Sequence, residues 1–490
     1  MTRGAGSRIA LMTGWVLLSS IVTALLLPAA ASAHGLVGRS DLPLPDWLFA
    51  WGSSIVLIVS FVGLTLGWRT VRLENYDWRA LTGGIATALA SRPAQILAGA
   101  IGAVLLAFVV WTGIDGVEAP DRNFAITFVY VTFWLGTVVL SVLFGNVFRA
   151  FNPWRAIART VAAATTALTG RERKAPFRYP ERFGRWPAVA GLVGFVFLEL
   201  VWGQTGFAAA GVTPKTIATA TIVYSVYTFM AMGLFGIDRW TDRGETFTQY
   251  FGMFGSLAIF EVRDGRLGRR PLLAGATKWA IPAGSLALVL VAIGATTFDG
   301  AQEGVLKEPI SSLFETFSDA GLSPVAALRL TNTIFLAGTL LAVAAIFWGG
   351  IYGMRIVDGR RTALELGRRF AHAFIPIALA YLVAHYFSLF VYQEQAQFTF
   401  LLSDPFGDGS DWFGTAGSAI DYSVIGATAI WYVQFGAIVV GHVVALALGH
   451  DRALALWKDT RTAAYSQVWM LMTMVFFSIL GLYLLSQANG

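Results

Sequence analysis

Residues 330–354 read LTNTIFLAGTLLAVAAIFWGGIYGM, a run with no Asp, Glu, Lys or Arg that ends at Arg355. As a helix, a run of this length covers the roughly 30 Å of a bilayer's hydrocarbon core. Nine more apolar runs of similar length lie on either side, at 47–68, 95–114, 124–148, 187–209, 216–237, 279–298, 371–392, 424–449 and 467–487. The fold class they predict is all-α, a polytopic transmembrane helix bundle of ten spans with inner interfacial helices. Of the 490 residues, 56% are hydrophobic and only 13% charged. That charged fraction is roughly half the usual value for a soluble protein, and the charges are swept into the connections. Trp47, Trp68, Trp186 and Trp279 mark run ends, where amphipathic rings favour the interface.

The chain begins with the pattern of a secretory leader. Arg3 and Arg8 precede the apolar stretch 9–27, and Ala31-Ser32-Ala33 offers a cleavage site. The organisation expected is a signal peptide over 1–33 and one transmembrane helical domain over 34–490, with His34 as the mature N-terminus. An uncleaved anchor helix is the alternative.

Orientation follows from Lys and Arg. Alternate connections hold four, nine, seven, five and three of them, 28 of the 35 in the chain. The positive-inside rule places those connections in the cytoplasm. The expected location is therefore the bacterial plasma membrane, multi-pass, with the mature N-terminus outside. The net charge of +6 is explained by this bias and implies no nucleic-acid partner. The outer segments are acidic instead. Asp299, Glu303, Glu308, Glu315 and Asp319 fall in one, and Glu394, Asp404, Asp408, Asp411 and Asp421 in another. They read as solvated loop surface or as a cation-attracting mouth.

Three inner stretches are too short or too polar to span. Asn152-Pro153 reads as an N-cap and first-turn proline opening a helix to about Leu168. Residues 80–91 and 246–260 read as helices lying in the inner interface. Gly236-Ile237-Asp238-Arg239 and Gly449-His450-Asp451-Arg452 form a four-residue echo, too short to establish duplication.

The absence of Cys excludes disulfides, thiolate metal sites, iron–sulfur clusters and a cysteine nucleophile. No phosphate-binding loop, zinc-protease helix, serine-hydrolase elbow or dinucleotide fingerprint is present. Chemistry rests on a few polar residues inside apolar runs, where ionisable groups mark function or pair with partners. Glu199 is read as the one carboxylate inside a span. His385 lies roughly 20 Å along its own span, a depth that matches Glu199 and permits a contact. Gln204, Gln434, Tyr381, Tyr386 and Ser388 are candidates for the same polar cluster. An N-terminal His34 chelates through its amine and imidazole, and a second His completes a set suited to copper. The candidate metal ligands are thus His34, His385 and Glu199, with copper or zinc as the metal, and His385 and Glu199 double as candidate catalytic residues. His372, His442 and His450 cluster toward the inner side. A haem between His372 and His450 fits the spacing of two-haem bundles poorly, and capping of helix ends or carbonyls is the better reading.

Ala33-His34-Gly35, Arg39, Asp41-Leu42-Pro43-Leu44-Pro45, FAHAFIPIALAYLVAHYFS (370–388), GHVVALALGHDRAL (441–454) and LLSQA (484–488) resemble a group of actinobacterial-type polytopic membrane proteins labelled fenitrothion hydrolase-like. The resemblance implies hydrolysis of lipophilic phosphotriesters, with a metal ion. Three functions therefore stand open. One is a metal-dependent membrane hydrolase of such substrates; another is a secondary transporter or metal-handling permease. The third is a non-catalytic membrane subunit or assembly factor. The partners expected are the lipid bilayer, a small lipophilic substrate or ion, and a membrane-protein partner for the third function.

Overall fold

A computed structural model describes residues 46–172, 174–204, 212–279, 282–457 and 459–488. The expected leader at 1–33, together with His34, Arg39 and Asp41, lies outside the described residues.

Apolar composition over 18 or more residues produces the helices expected of it. Among the described residues, nine helical segments are long and apolar enough to cross a membrane. They include α2 (Arg92–Asp115), α3 (Phe124–Phe144), α5 (Trp186–Trp202), α6 (Pro214–Phe235), α8 (Ser285–Gln302) and α10 (Pro324–Asp358). The rest contain α11 (Ile375–Phe398), α12 (Ala427–Leu456) and α13 (Thr460–Ala488). The tenth expected span coincides with α1 (Asp46–Gly67). Caps match the sequence at several starts: Asn152 accepts from Arg155 N at 2.8 Å and Pro153 opens α4 (Pro153–Thr169). Thr213 and Ser323 do the same ahead of Pro214 and Pro324.

All-α packing dominates, with α11 central against α12, α8 and α3. Gly441 shows why α11 and α12 approach so closely. A Cβ built there would stand 2.4 Å from Ala380 Cβ and 2.8 Å from Pro376 O, the small-residue packing that membrane helices favour.

The Arg-rich connections meet on one face. β1 (Arg79–Ala80) pairs antiparallel with β3 (Arg266–Arg269), which pairs with β2 (Phe260–Arg263). Arg155 and Arg159 reach Asp238, and Trp457 Nε1 donates to Asp358 Oδ1 at 2.6 Å. The echoed motif does two different jobs here. Asp238 is exposed, whereas Asp451 is fully buried and accepts from Trp68 Nε1 and from the backbone N–H groups of Arg72, Leu73 and Glu74 at 2.7–3.1 Å. Arg452 pairs with Glu74 at 2.9 Å. Burial raises the Glu74 carboxyl above its ordinary range, and Arg452 opposes that shift. On the opposite, acidic face, Val117 N and Phe124 N donate to Phe406 O and Pro405 O. The alternation read from charge is therefore the alternation of the contacts.

One expectation is overturned. Residues 246–260 do not form a helix lying in the interface. α7 (Thr246–Gly255) is buried on nearly every side, and a β-strand follows it. Its aromatic residues pack against α3 and α5, with Tyr250 stacked on Trp134 at 4.1 Å. Burial of its start is compensated by Glu245, fully buried itself, which accepts from Phe247 N, Thr248 N, Asn152 Nδ2 and Tyr224 OH at 2.6–3.1 Å and from the Thr248 hydroxyl. Fully satisfied backbone is the condition for placing such a helix in a membrane protein's interior.

Candidate functional site

Two spans depart from ordinary α geometry. Phe128–Gly136 within α3 and Leu198–Trp202 within α5 are π-helical. The wide turn is explicit at Gly203, whose N–H donates five residues back to Leu198 O at 3.0 Å. Such turns cost regular hydrogen bonding and recur at functional sites. Here α10 supplies part of the compensation, since Arg329 donates to Trp202 O at 2.9 Å and rests its guanidinium 3.9 Å from the Trp202 ring. Each π segment carries a polar side chain, Thr132 on α3 and Glu199 on α5, and Glu199 lies within electrostatic reach of Asp299 on α8.

At that region α8 and α11 bring together a carboxylate, an imidazole and a phenol. His385 Nε2 donates to Asp299 Oδ2 at 2.8 Å, and Tyr386 OH donates to the same oxygen at 2.5 Å. Gln302 Nε2 donates to Asp299 Oδ1 at 2.7 Å. The other His385 nitrogen, Nδ1, faces the Gly300 backbone, where a Cβ would be 3.5 Å away. Glu199 lies within electrostatic reach of Asp299, Tyr130, Tyr250 and Tyr386. Farther along α11, Glu394 Oε2 accepts from Thr132 Oγ1 at 3.0 Å.

The cluster is deep but not fully enclosed. The side chains of His385 and Asp299 keep 24% and 15% of their surface. Tyr386, Glu199 and Glu394 are likewise only half-buried, as is almost all of α11 from His385 to Gln395. Among the described residues, no Lys or Arg pairs with Asp299, Glu199 or Glu394. Asp299 and Glu199 thus share a partly accessible interior with one imidazole, and Glu394 sits farther along α11 with Thr132.

The structure departs from the sequence reading in the membership of this cluster. Glu199 is not the one carboxylate inside a span. Asp299 and Glu394 read as outer-loop acids, yet α8 runs four residues past the expected end and α11 six. The signal for Asp299 was local, in the Asp299–Gln302 spacing that keeps both on one helical face. Glu199 and His385 share a neighbour in Asp299; the charges His385 meets are Asp299 and then Glu303.

Other candidates go elsewhere. Tyr381 OH donates to Phe477 O of α13 and its ring flanks His442. Gln434 is buried on α12, and neither Gln204 nor Ser388 joins the hydrogen bonds around Asp299. His442 Nδ1 donates to Ile438 O at 2.7 Å within its own helix. His450 has both ring nitrogens engaged, with Trp68 O at 2.8 Å and Gln467 Oε1 at 3.1 Å; it is a clamp on the 68–74 connection, as the carbonyl-binding reading anticipated. His372 is buried beside α11.

Of the three candidate metal ligands, His385 and Glu199 fall in one cluster and His34 lies outside the described residues. Among the described residues, no group of three or more His, Asp or Glu side chains is placed to hold a metal ion.

The class these observations define is an all-α, multi-pass integral membrane protein with a polar cluster among its spans. Comparison with family models, curated proteins and solved structures returns no match.

Proposed function

We propose that the chain is a secondary transporter of the bacterial plasma membrane, coupled to protons that bind at Asp299, His385 and Tyr386. The observation that carries this reading is a hydrogen-bonded carboxylate–imidazole–phenol set inside the spans, partly accessible, beside acids that no Lys or Arg neutralises among the described residues. Ionisable groups are expensive at such depth and mark ion pathways and proton relays. An Asp–His pair can hold or release one proton while its geometry stays fixed. Glu199, on one π segment, lies near the pair and provides a further protonatable station; Glu394, farther along α11 and bonded to Thr132 of the other π segment, provides another. With the Arg-rich face in the cytoplasm, the acidic face and the mature N-terminus are external. A cation or a small lipophilic solute is the cargo class that suits the acidic face and apolar walls.

The test needs no known cargo. Full-length protein in proteoliposomes on a solid-supported membrane is given a pH jump, and the charge movement is recorded. Wild type gives a transient current; Asp299→Asn and His385→Gln, with folding verified by thermal unfolding, reduce it at least tenfold. A wild-type response equal to that of Asp299→Asn or of protein-free liposomes refutes the reading.

One observation favours a second reading, the metal-dependent hydrolysis of lipophilic phosphotriesters that the fenitrothion hydrolase-like resemblance implies. An imidazole oriented by a carboxylate, with its other nitrogen free, is the arrangement that metal-binding histidines require. His385 Nδ1, Glu199 and His34 would hold copper or zinc, and the ion would supply a water activated at neutral pH. Near-stoichiometric metal in wild type, lost in His385→Ala, supports that reading. A flat pH-jump response and no metal together leave the role of a non-catalytic membrane subunit.

A further inference from the structure

A second feature lies at the other end of the molecule and is independent of the transport reading. α1 and α12 lie side by side, with open space over the glycines of α1. Gly63 and Gly67 are one turn apart on α1, and Val443 and Ala447 one turn apart on α12. Small side chains on both sides leave a groove of about 350 Å³ between the helices. Its walls are mostly apolar, Ser60 and Arg72 aside, and it lies beside the exposed apolar residues Val59, Val62 and Leu66 of α1. A groove so placed faces hydrocarbon rather than water.

One end of the groove is charged. Trp68 and Arg72 close it on the Arg-rich face, with the Arg72 guanidinium 5.1 Å from the Trp68 ring. Arg72 is exposed, and among the described residues no acid pairs with it. Arg69 adds a second exposed positive charge on the same connection. The connection is held rigidly from behind, because Asp451 binds the Arg72 backbone N–H at 2.7 Å and His450 binds Trp68 O at 2.8 Å. The two clamps fix the place of the cation without using its side chain.

From these features we infer that the groove between α1 and α12 binds one anionic phospholipid, an acyl chain lying along Gly63 and Gly67 and the headgroup phosphate on Arg72. The mostly apolar walls suit an acyl chain, and an exposed guanidinium beside a Trp ring suits a phosphodiester. Zwitterionic lipid carries the same phosphate but no net charge, so the site prefers anionic headgroups. The histidine and aspartate of the 449–452 motif thereby become positioning residues for a lipid contact.

The test is native mass spectrometry of the full-length protein in detergent, titrated with phosphatidylglycerol or with phosphatidylcholine of the same acyl chains. Wild type is expected to retain one phosphatidylglycerol at least fivefold better than phosphatidylcholine. Arg72→Gln keeps the backbone bond to Asp451 and is expected to bring that preference close to one. Gly63→Leu fills the groove, since a Cβ there meets nothing within 4 Å, and lowers retention of both lipids without disturbing the bundle. Equal retention of the two lipids by wild type overturns the inference. So does wild-type binding in both variants, or a retained adduct whose mass is not that of a phospholipid.

Discussion

Replacing Asp451 by Asn tests whether one buried carboxylate organises the Arg-rich face. In the wild type its Oδ1 accepts from Trp68 Nε1 and Arg72 N, and its Oδ2 from Leu73 N and Glu74 N, all within 2.7–3.1 Å. The three backbone donors sit in a connection without regular structure, so the carboxylate takes the place of a sheet or helix partner. Asn keeps the shape and one acceptor oxygen, but its amide turns N–H groups toward two of the four donors. A hydrogen bond to a charged group contributes about 1.5–3 kcal/mol net. Losing two, with partial access to water to soften the loss, costs about 3 kcal/mol, or roughly a hundredfold in a local opening equilibrium. Hydrogen–deuterium exchange of the peptide 68–78 in detergent reads this directly. Amides of residues 72–74 should exchange roughly a hundred times faster in Asp451→Asn and faster still in Asp451→Ala. Segments of α3 serve as the internal reference and should not change. Exchange at 72–74 within threefold of wild type in both variants would refute the argument that Asp451 holds this connection.

Glu245→Ala leaves five donors without their acceptor at the buried start of α7, and should cost at least about 3 kcal/mol. Fluorescence-detected thermal unfolding in detergent should show a markedly lower midpoint, and an unchanged midpoint would mean that the network is not structural. Gly441→Leu drives a side chain into Ala380 and Pro376 and should destabilise by about 1–3 kcal/mol. Gly338→Ala, whose Cβ meets nothing within 4 Å, should be neutral or stabilising by up to about 1 kcal/mol; the same melting assay separates the two.

Much of the architecture is legible in residue order because a bilayer simplifies the problem. A span must satisfy its backbone within itself, so a charge-free run such as 330–354 becomes a helix whatever its neighbours do. The cap at Asn152 is a local feature, visible in a short stretch, whereas the carbonyl that His450 binds, Trp68 O, lies 382 residues away. Span ends are harder. Asp299 and Glu394 read as loop because charge normally terminates an apolar run, and nothing in the run announces that a partner helix supplies Tyr386, His385 or Thr132. α7 misled for a related reason. Its polar residues suggested an interface, but Glu245, Gln249 and Thr248 are satisfied by groups on other elements, and the helix is interior.

Taken alone, the sequence determined the all-α class and the places of the apolar helices, nine of which, among the described residues, are long enough to span, since these depend on hydrophobicity along one dimension. It also narrowed the chemistry by containing no Cys and few His. The tertiary structure decided which acids share the interior with His385, how a π-helical segment brings Glu199 near Asp299, and why Asp451 differs from Asp238. Each of those outcomes joins residues tens to hundreds of positions apart. In hydrocarbon, the free energy of a polar group is set by the neighbour that satisfies it, and only packing in three dimensions chooses that neighbour.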